Sequence, residues 1–297
     1  KMNYNGDWTL WRTTFTSGGS DRWQNGYKYR AEVRAYDKTN VLYDVTTSTS
    51  EFIYDKDKPR MAVSLPGGSA YCSQLPTISG TSDDTSTGPG DQYSGINEKW
   101  VAIRSLGNDT ESMRWWSGTT FDKVGETPPS LSKKSVSPSG GSGEWTMDSA
   151  PGWNKFIDGT SYYITTLVID KATNDTQWFN VYSSTFTVDK SSPVTGITGT
   201  EVYYKKSLTA VSGTATDVTA GVKQVELVIQ DLIEPTSYWN KDSGSSGEWS
   251  GSAYWNRALT LSGTKPNYVY SSTNVPVWVQ DHLYLLISRG KDNAIPE

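Results

Sequence analysis

Polar and apolar residues alternate in short runs along the chain. Val225, Leu227 and Ile229 occupy every second position of one run, and Leu167 and Ile169 do so in another. A period of two predicts β-strands with one face toward a core. No convincing segment repeats its apolar residues at the helical spacing, and Gly, Ser, Asp and Pro separate the runs. The pattern therefore predicts an all-β fold.

The apolar residues of these runs are the predicted core. Since the core of a β protein is built from inward-facing alternate positions, each strand contributes only one of its two faces. The predicted core residues are Ile78, Val101, Ile103, Leu167 and Ile169 in the middle of the chain, and Val211, Val225, Leu227 and Ile229 in its last third.

Several sequence blocks recur at a period of about 133 residues. STSEFIYDKDKP and SSTFTVDKSSP place Asp55 and Asp189 134 positions apart, and LPTISGTSDD and LTAVSGTATD place Gly80 and Gly213 133 positions apart. The block SGINEKWVAIRS likewise matches AGVKQVELVIQD. Such self-similarity is the signature of a repeat architecture.

A further block occurs three times and defines a third, incomplete copy. YKYRAEVRAYDKTN, SYYITTLVIDKATN and, more weakly, LYLLISRGKDN align Asp37, Asp170 and Asp292. The short stretches GSGEW and GSSGEW do not align with each other when Asp170 and Asp292 are aligned. This alignment places Tyr268 at the position equivalent to Trp145.

The repeats define three predicted domains. Residues 1–58 form repeat 1, which lacks its front half; residues 59–192 form repeat 2; and residues 193–297 form repeat 3, which stops where its last strand is expected. Short strands in units of this size favour immunoglobulin-like β-sandwiches, in which two facing sheets bury one core. We expect the chain to be a window of a longer array.

Composition narrows the classes of partner and site. The net charge is −5 and Lys and Arg are scattered, which argues against nucleic acid or an anionic membrane as the main partner. No apolar run is long enough for a membrane span. With one cysteine, Cys72, and one histidine, His282, the chain has no internal disulfide and no Cys and His ligand set for zinc.

Five motifs together resemble the bacterial Ig-like repeats of very large secreted and surface proteins. They lie at Phe186–Pro193, Leu208–Asp217, Ala220–Ile229, Tyr238–Asn240 and Asp158–Asn174. The resemblance implies tandem Ig-like β-sandwich domains in an extracellular or cell-surface protein of bacteria. It also implies an adhesin-like structural role as a stalk, fibre or surface-layer module.

Recurring aspartates are the strongest candidate for a functional site. In a sandwich of this topology, the start of the first strand, the loop after the second strand and the loop before the last strand lie at one end. The predicted convergent residues are Asp189, Asp217 and Asp292 at one junction, and Asp55 or Asp57, Asp83 or Asp84, and Asp170 or Asp175 at the other.

Two interpretations of these aspartates remain open. Three convergent carboxylates form a hard-oxygen site suited to calcium, and the resemblance favours this because related adhesin arrays are stiffened by calcium. Alternatively, each aspartate only caps its own turn, with Lys190 or Lys291 neutralising the charge of the second group.

The aromatic residues suggest a second kind of site. There are 13 tryptophans, and Trp115 and Trp116 are adjacent, so that one of them is expected to be exposed on a strand. An exposed row of Trp and Tyr would bind a cell-surface glycan, whereas buried tryptophans would only fill the cores.

No catalytic motif is present, and we expect no enzyme activity. The chain has no nucleophile elbow, zinc-protease motif or phosphate loop. The predicted function is a structural or adhesive segment with no cofactor other than calcium and with protein partners, either neighbouring Ig-like domains or further copies. The alternatives are a carbohydrate-binding module and a subunit of an extracellular filament whose domains are completed by neighbouring chains.

Overall fold

A computed structural model describes most of the chain. It covers residues 23–33, 48–68, 70–74, 77–86, 88–107, 113–130, 134–138, 143–176, 183–199, 205–233, 237–241 and 247–295. Asp37 of the thrice-recurring block lies outside these residues.

The predicted all-β fold is confirmed, since the described elements are almost entirely strands, with a short 3-10 helix at Trp153–Lys155. Repeat 1 contributes β1 (Tyr27–Val33) and β2 (Ser48–Tyr54). Repeat 2 contributes β3 (Arg60–Leu65), β4 (Ala70–Cys72), β5 (Ser79–Asp83), β6 (Ile96–Ser105), β7 (Arg114–Trp116), β8 (Phe121–Lys123), β9 (Lys134–Pro138), β10 (Glu144–Met147), β11 (Ser161–Asp170) and β12 (Ser184–Val188). Repeat 3 contributes β13 (Val194–Thr198), β14 (Val211–Thr216), β15 (Val222–Asp231), β16 (Ser237–Asn240), β17 (Glu248–Ser250), β18 (Asn256–Arg257), β19 (Thr260–Thr264), β20 (Asn267–Ser272) and β21 (Tyr284–Asp292).

These strands form four sheets. Strands β1 and β2 pair alone, and the strands of repeat 2 form a ten-stranded sheet with the main order β3-β5-β10-β9-β6-β11-β12-β4. Repeat 3 forms two sheets, one in the order β13-β14-β20-β19 and one in which β15 pairs with β16, β18 and β21.

Chain contacts divide the molecule into two compact units. The first comprises Lys1–Met61, Ser82–Lys99 and Leu167–Gln177, and the second comprises Ala62–Thr81, Trp100–Thr166 and Trp178–Glu297. Both sheets of repeat 3 belong to the second unit. The domain boundaries proposed from the repeats stay a prediction.

The core of repeat 3 lies between its two sheets. Val211, Ala215 and Tyr270 project from the four-stranded sheet, and Val225 and Leu227 project from the five-stranded one. Of the nine core residues predicted from alternation, only Ile169 is half-buried rather than buried. Two facing apolar sheet surfaces therefore supply the hydrophobic stabilisation of this repeat.

The recurring Ser-Gly-Thr block marks a close contact with an aromatic ring. A Cβ atom at Gly80 would lie 2.6 Å from the Trp145 ring, and one at Gly213 would lie 2.6 Å from the Tyr270 ring. Each glycine is also the cross-strand partner of that aromatic residue. The structural equivalent of Trp145 is thus Tyr270, and the assignment to Tyr268 is wrong because the strand phase, not the spacing to Asp292, sets the equivalence.

A tyrosine hydroxyl makes the same contact in all three repeats. The hydroxyl groups of Tyr29, Tyr162 and Tyr284 each accept a hydrogen bond from the backbone N–H five residues upstream, at 2.7, 2.9 and 2.9 Å. Each tyrosine lies at or near the start of its strand, in β1, β11 and β21. The three strands are therefore structural equivalents, as their sequence block predicts.

The buried position of Leu227 gives a test of the core. We expect Leu227→Ala to lower the free energy of unfolding by about 2–5 kcal/mol, because it leaves a cavity between the two sheets. Chemical denaturation followed by tryptophan fluorescence measures this change.

Leu259→Ala is the matched control, because Leu259 is exposed and its truncation should change stability by less than about 0.5 kcal/mol. Equal effects of the two substitutions would show that Leu227 does not face the core.

Candidate functional site

Six of the predicted aspartates meet in two groups of three. The first cluster consists of Asp55, Asp84 and Asp170, and the second cluster consists of Asp189, Asp217 and Asp292. In each cluster one carboxylate oxygen of every residue lies within 4.8 Å of the other two. The alternatives Asp57, Asp83 and Asp175 are not members of the first cluster.

Equivalent strand ends position the two clusters. Asp55 and Asp189 directly follow β2 and β12, the last strands of repeats 1 and 2. Asp84 and Asp217 directly follow β5 and β14, whereas the third aspartate of each cluster ends β11 or β21. Each cluster therefore combines one carboxylate from the preceding repeat with two from the next.

Two successive backbone N–H groups hold the first cluster together. Ser94 N–H donates to Asp55 Oδ2 at 2.7 Å, and Gly95 N–H donates to Asp84 Oδ2 at 2.7 Å. Gly95 has φ +81°, a conformation that glycine adopts without a steric penalty. This dipeptide thus binds two carboxylates that come from different repeats.

The second cluster uses the equivalent dipeptide. Ala220 N–H donates to Asp189 Oδ2 at 3.0 Å, and Gly221 N–H donates to Asp217 Oδ1 at 2.7 Å. Gly221 has φ +78°. The small-residue–Gly step recurs in the sequence just before β6 and β15. That recurrence is the sequence signal for these donors, which are not among the predicted site residues.

An asparagine after the third aspartate adds contacts within each cluster. Asn174 Nδ2 donates to Asp170 Oδ2 at 2.8 Å and to the Asp55 backbone carbonyl at 3.1 Å. Asn293 Nδ2 donates to the carbonyls of Ala220 and Gly221 at 3.1 and 2.9 Å. These amides fix the third strand end to the rest of its cluster.

The turn-capping interpretation is also realised. The carboxylates of Asp55, Asp189 and Asp217 each accept a hydrogen bond, at 3.0 Å, from the backbone N–H two residues further along. Such local bonds are typical of aspartate in turns. They occupy some of the carboxylate oxygens but not all, so turn capping alone does not account for the clusters.

One carboxylate oxygen in each cluster is buried without a hydrogen-bond partner. These atoms are Asp84 Oδ1 and Asp217 Oδ2, on residues that are only 6% and 4% exposed. A buried, unsatisfied carboxylate oxygen is costly, because it has lost water and gained no donor. Each cluster therefore has an oxygen that is available to a ligand.

The lysines proposed to neutralise the second cluster bind elsewhere. Lys190 Nζ donates to the carbonyls of Trp153 and Phe156, and Lys291 Nζ pairs with Glu226 at 3.0 Å. Among the described residues, no Lys, Arg or His forms an ion pair with any of the six clustered carboxylates. Within the described residues, the hydrogen bonds to the clustered carboxylates come from backbone N–H groups and, in the first cluster, also from the side-chain amide of Asn174.

Burial and mutual repulsion act on the carboxylates of both clusters. Burial raises the pKa of the Asp84 carboxyl above its usual range, and the charges of Asp55 and Asp170 raise it further, although the bond from Gly95 opposes the shift. A cation placed among these groups would favour their ionised forms.

The equivalent carboxyl of the second cluster behaves in the same way. The pKa of Asp189 is raised by burial and by the charges of Asp217 and Asp292, against the hydrogen bonds from Ser191 and Ala220. Folding therefore brings together negative charges that repel one another in each cluster.

Three convergent carboxylates can hold a divalent cation through hard oxygen ligands. Calcium accepts six to eight oxygens in flexible geometry, whereas zinc prefers the nitrogen and sulfur ligands that both clusters lack. The donor set and the unpaired oxygens thus fit calcium.

Trp115 and Trp116 are both buried, contrary to the expectation that one of them is exposed. The pairing register shifts between the two residues, as in a β-bulge, so they do not simply alternate between faces. Their indole N–H groups donate to the carbonyls of Gly125 and Ser149 at 2.9 and 3.1 Å. Neither ring presents a face to a glycan.

The other described tryptophans are also buried or half-buried. Trp8, Trp11 and Trp178 lie outside the described residues. Among the aromatic residues that the structure describes, only Phe52 and Tyr93 are exposed. The row of exposed rings that a carbohydrate-binding groove requires is not seen in this part of the chain.

Cys72 and His282 have separate structural contacts. Cys72 is buried, and burial raises the pKa of its thiol, which disfavours the thiolate form. His282 Nδ1 lies 2.6 Å from Asp231 Oδ2. No helix in the described part of the chain has the length and apolar character needed to cross a membrane.

No family model matches the chain, and no curated protein matches it either. The two clusters and the strand arrangement are therefore the features of the chain that bear on its function.

The repulsion within the second cluster predicts an unusual effect of a neutral substitution. In the presence of a chelator at pH 7, we expect Asp217→Asn to raise the free energy of unfolding, because it removes a negative charge that repels the neighbouring carboxylate of Asp189. The asparagine retains an oxygen for the N–H groups of Thr219 and Gly221, and its amide replaces the unpaired oxygen. Thermal denaturation in EDTA measures the change.

Asp122→Asn controls for the general loss of a negative charge, because Asp122 is exposed, lies outside both clusters and forms an ion pair with Lys123 at 3.2 Å. This variant should show no gain. A loss of stability for Asp217→Asn in EDTA would show that repulsion does not dominate the cluster.

Proposed function

We propose that the chain is a non-enzymatic structural segment of a bacterial extracellular or surface protein, built from tandem Ig-like domains with calcium at their junctions. The observation that carries this proposal is the pair of equivalent aspartate clusters, each with a buried carboxylate oxygen that has no partner. Its work is mechanical, because a cation joining carboxylates of successive repeats stiffens the connection between them.

The strand arrangement supports Ig-like domains. The order β13-β14-β20-β19 in repeat 3 matches the first, second, fifth and fourth strands of an Ig sandwich, and β15 with β21 matches the third and sixth strands in the facing sheet. A tyrosine hydroxyl bonded to the backbone a few residues upstream is a hallmark of the sixth strand in that fold. This contact occurs in β1, β11 and β21.

Each cluster is suited to couple two repeats. Asp189 belongs to the end of repeat 2, whereas Asp217 and Asp292 belong to repeat 3. Because three ionised carboxylates repel one another in the free state, a bound cation converts a destabilising contact into a stabilising one. The connection between repeats then depends on the calcium concentration, which is high outside cells.

A filament subunit completed by a neighbouring chain is the second candidate. The observation that favours it is the unpaired edge of β21, which has apolar side chains and pairs with no described strand other than β15. This role is compatible with calcium-bound junctions, because it involves a different surface of repeat 3.

Calcium should bind to the chain and stabilise it. At a hundredfold excess over its dissociation constant, ligand linkage predicts about 2.7 kcal/mol per site. Isothermal titration calorimetry should give two sites, and the thermal midpoint should fall when EDTA is added. Small-angle scattering should show a more variable connection between repeats after chelation.

Asp217→Asn should remove one of the two calorimetric sites and leave the other. Its effect on the melting temperature then changes sign: stabilising in EDTA and destabilising in calcium. Asp122→Asn should keep both sites, and a melting curve of the unmodified chain that EDTA leaves unchanged would contradict the calcium proposal.

Proton competition gives an independent check of the binding groups. Since the pKa values of Asp84 and Asp189 are raised, protons should compete with calcium at a higher pH than at ordinary surface carboxylates. We expect the calcium dissociation constant to rise as the pH falls toward these raised values. Binding that is constant down to the usual aspartate range would show that other groups hold the ion.

A further inference from the structure

Strand β21 has a free edge next to an exposed apolar face. It pairs with β15 along its whole length, from Tyr284 to Asp292, and with no other described strand. Leu283, Leu285 and Ile287 lie at alternate positions on the same face and are all exposed. Natural edge strands are usually short, charged or covered, because a long apolar edge promotes pairing with another strand.

The other half of this face is charged, and its side chains form ion pairs with β15, the neighbour on the paired side of β21. Arg289 and Lys291 both pair with Glu226, at 2.7 and 3.0 Å. The apolar half, around Leu285, has no such protection. This half is aligned with Ser161–Ile164 of β11, the residues that pair with β12.

Repeats 1 and 2 show what the equivalent edge binds. In both, the tyrosine with the bonded hydroxyl lies opposite a phenylalanine of an antiparallel strand: Tyr29 pairs with Phe52, and Tyr162 pairs with Phe186. The two ring pairs have centroid distances of 5.6 Å and interplanar angles of 25° and 24°. Tyr284 is the third such tyrosine, and no described strand places a phenylalanine opposite it.

Burial at matched positions shows the effect of the neighbouring strand. Thr165 of β11 is 0% exposed, whereas its counterpart Ile287 in β21 is 42% exposed. Ile164 is fully buried, but its counterpart Leu286 is half-buried. Both positions are thus more exposed in β21 than in β11, although both carry large apolar side chains in β21, and such an exposed apolar patch is typical of an interaction surface.

We propose that the free edge of β21 binds an extended polypeptide segment with the pattern Phe-x-x-Asp, antiparallel to β21 and with its phenylalanine opposite Tyr284. Main-chain hydrogen bonds supply the affinity, and the aromatic position sets the register, as in other cases of strand addition. The aspartate follows from the two precedents, since Asp55 and Asp189 come three residues after Phe52 and Phe186. This proposal does not depend on calcium binding.

The test uses the octapeptide of residues 183–190, SSTFTVDK, as the probe. Fluorescently labelled peptide is titrated with the full chain and followed by anisotropy, in calcium and in EDTA. We expect saturable one-to-one binding in both media and a higher melting temperature with peptide. A matched peptide carrying Phe186→Asp should bind at least tenfold more weakly.

Two variants of the chain locate the binding surface. Ile287→Lys should weaken peptide binding at least tenfold, whereas Val218→Lys, which also changes an exposed apolar residue, should leave it unchanged. Both positions are exposed, so both variants should fold, which circular dichroism verifies.

Joining the strand covalently to the chain makes its binding detectable even when the free peptide binds weakly. Residues 171–190, appended after Glu297, should raise the melting temperature of the chain, because the tether provides a high local concentration of the strand. The same tail with Phe186→Asp should give no rise. If the two peptides and the two tails behave alike, the proposal is wrong.

Sedimentation of the chain without peptide tests whether a second copy of the chain covers the edge of β21 instead. If the chain dimerises with increasing concentration and Ile287→Lys abolishes the dimer, a second copy covers the edge and the proposal is overturned. A failure of calcium binding leaves the result for the peptide unaffected, so the two proposals fail separately.

Discussion

The repulsion among three convergent carboxylates is the constraint on which each junction between repeats depends; all three are buried in the first cluster, and Asp292 of the second is half-buried. The aspartates of each cluster lie at strand ends of two repeats. A small-residue–glycine step donates two backbone N–H groups, one to a carboxylate of each repeat. Neither N–H group bonds to Asp84 Oδ1 or Asp217 Oδ2, and each of these oxygens is buried without a hydrogen-bond partner. No described basic side chain pairs with the clusters, so an added positive charge or protonation would reduce the repulsion among the carboxylates. The same residues thus determine which strand ends meet at the junction and make its stability depend on the charge of the cluster.

Sequence reasoning went furthest where a recurring residue has one structural cause. Alternation predicted the strands and residues that are mostly buried, but it did not fix the inward face of β11, where every residue from Ile164 to Val168 is buried. The six aspartates could be named because each recurs at a strand end of a known topology. Their neighbours were harder to find: Ser94 and Ala220 act through backbone N–H groups, so the only signal is the recurring small-residue–Gly step, which does not by itself identify a donor. The choice of Asp84 over Asp83 likewise depends on the phase in which the strand ends.

Other features could not be predicted from the spacing of residues along the sequence. Trp115 and Trp116 are both buried because the strand register shifts between them, and nothing in the adjacent letters shows a bulge. Tyr270 rather than Tyr268 packs on Gly213 because loops of different length separate the repeats' strands. Sequence spacing measures position along the chain, whereas equivalence in a sheet is defined by the cross-strand partner. An insertion in a loop therefore changes the sequence spacing but leaves the cross-strand partners unchanged.

The last strand of a repeat connects two otherwise separate interactions. In β12, Phe186 stacks on Tyr162 within repeat 2, and three residues later Asp189 enters the cluster with two carboxylates of repeat 3. In β2, Phe52 and Asp55 do the same for repeats 1 and 2. A strand that is pulled out of its own sheet must therefore also withdraw a carboxylate from the next junction. Strand pairing and the acidic cluster resist the same displacement, so binding of a cation at a junction would also stabilise the strand pairing of the repeat before it.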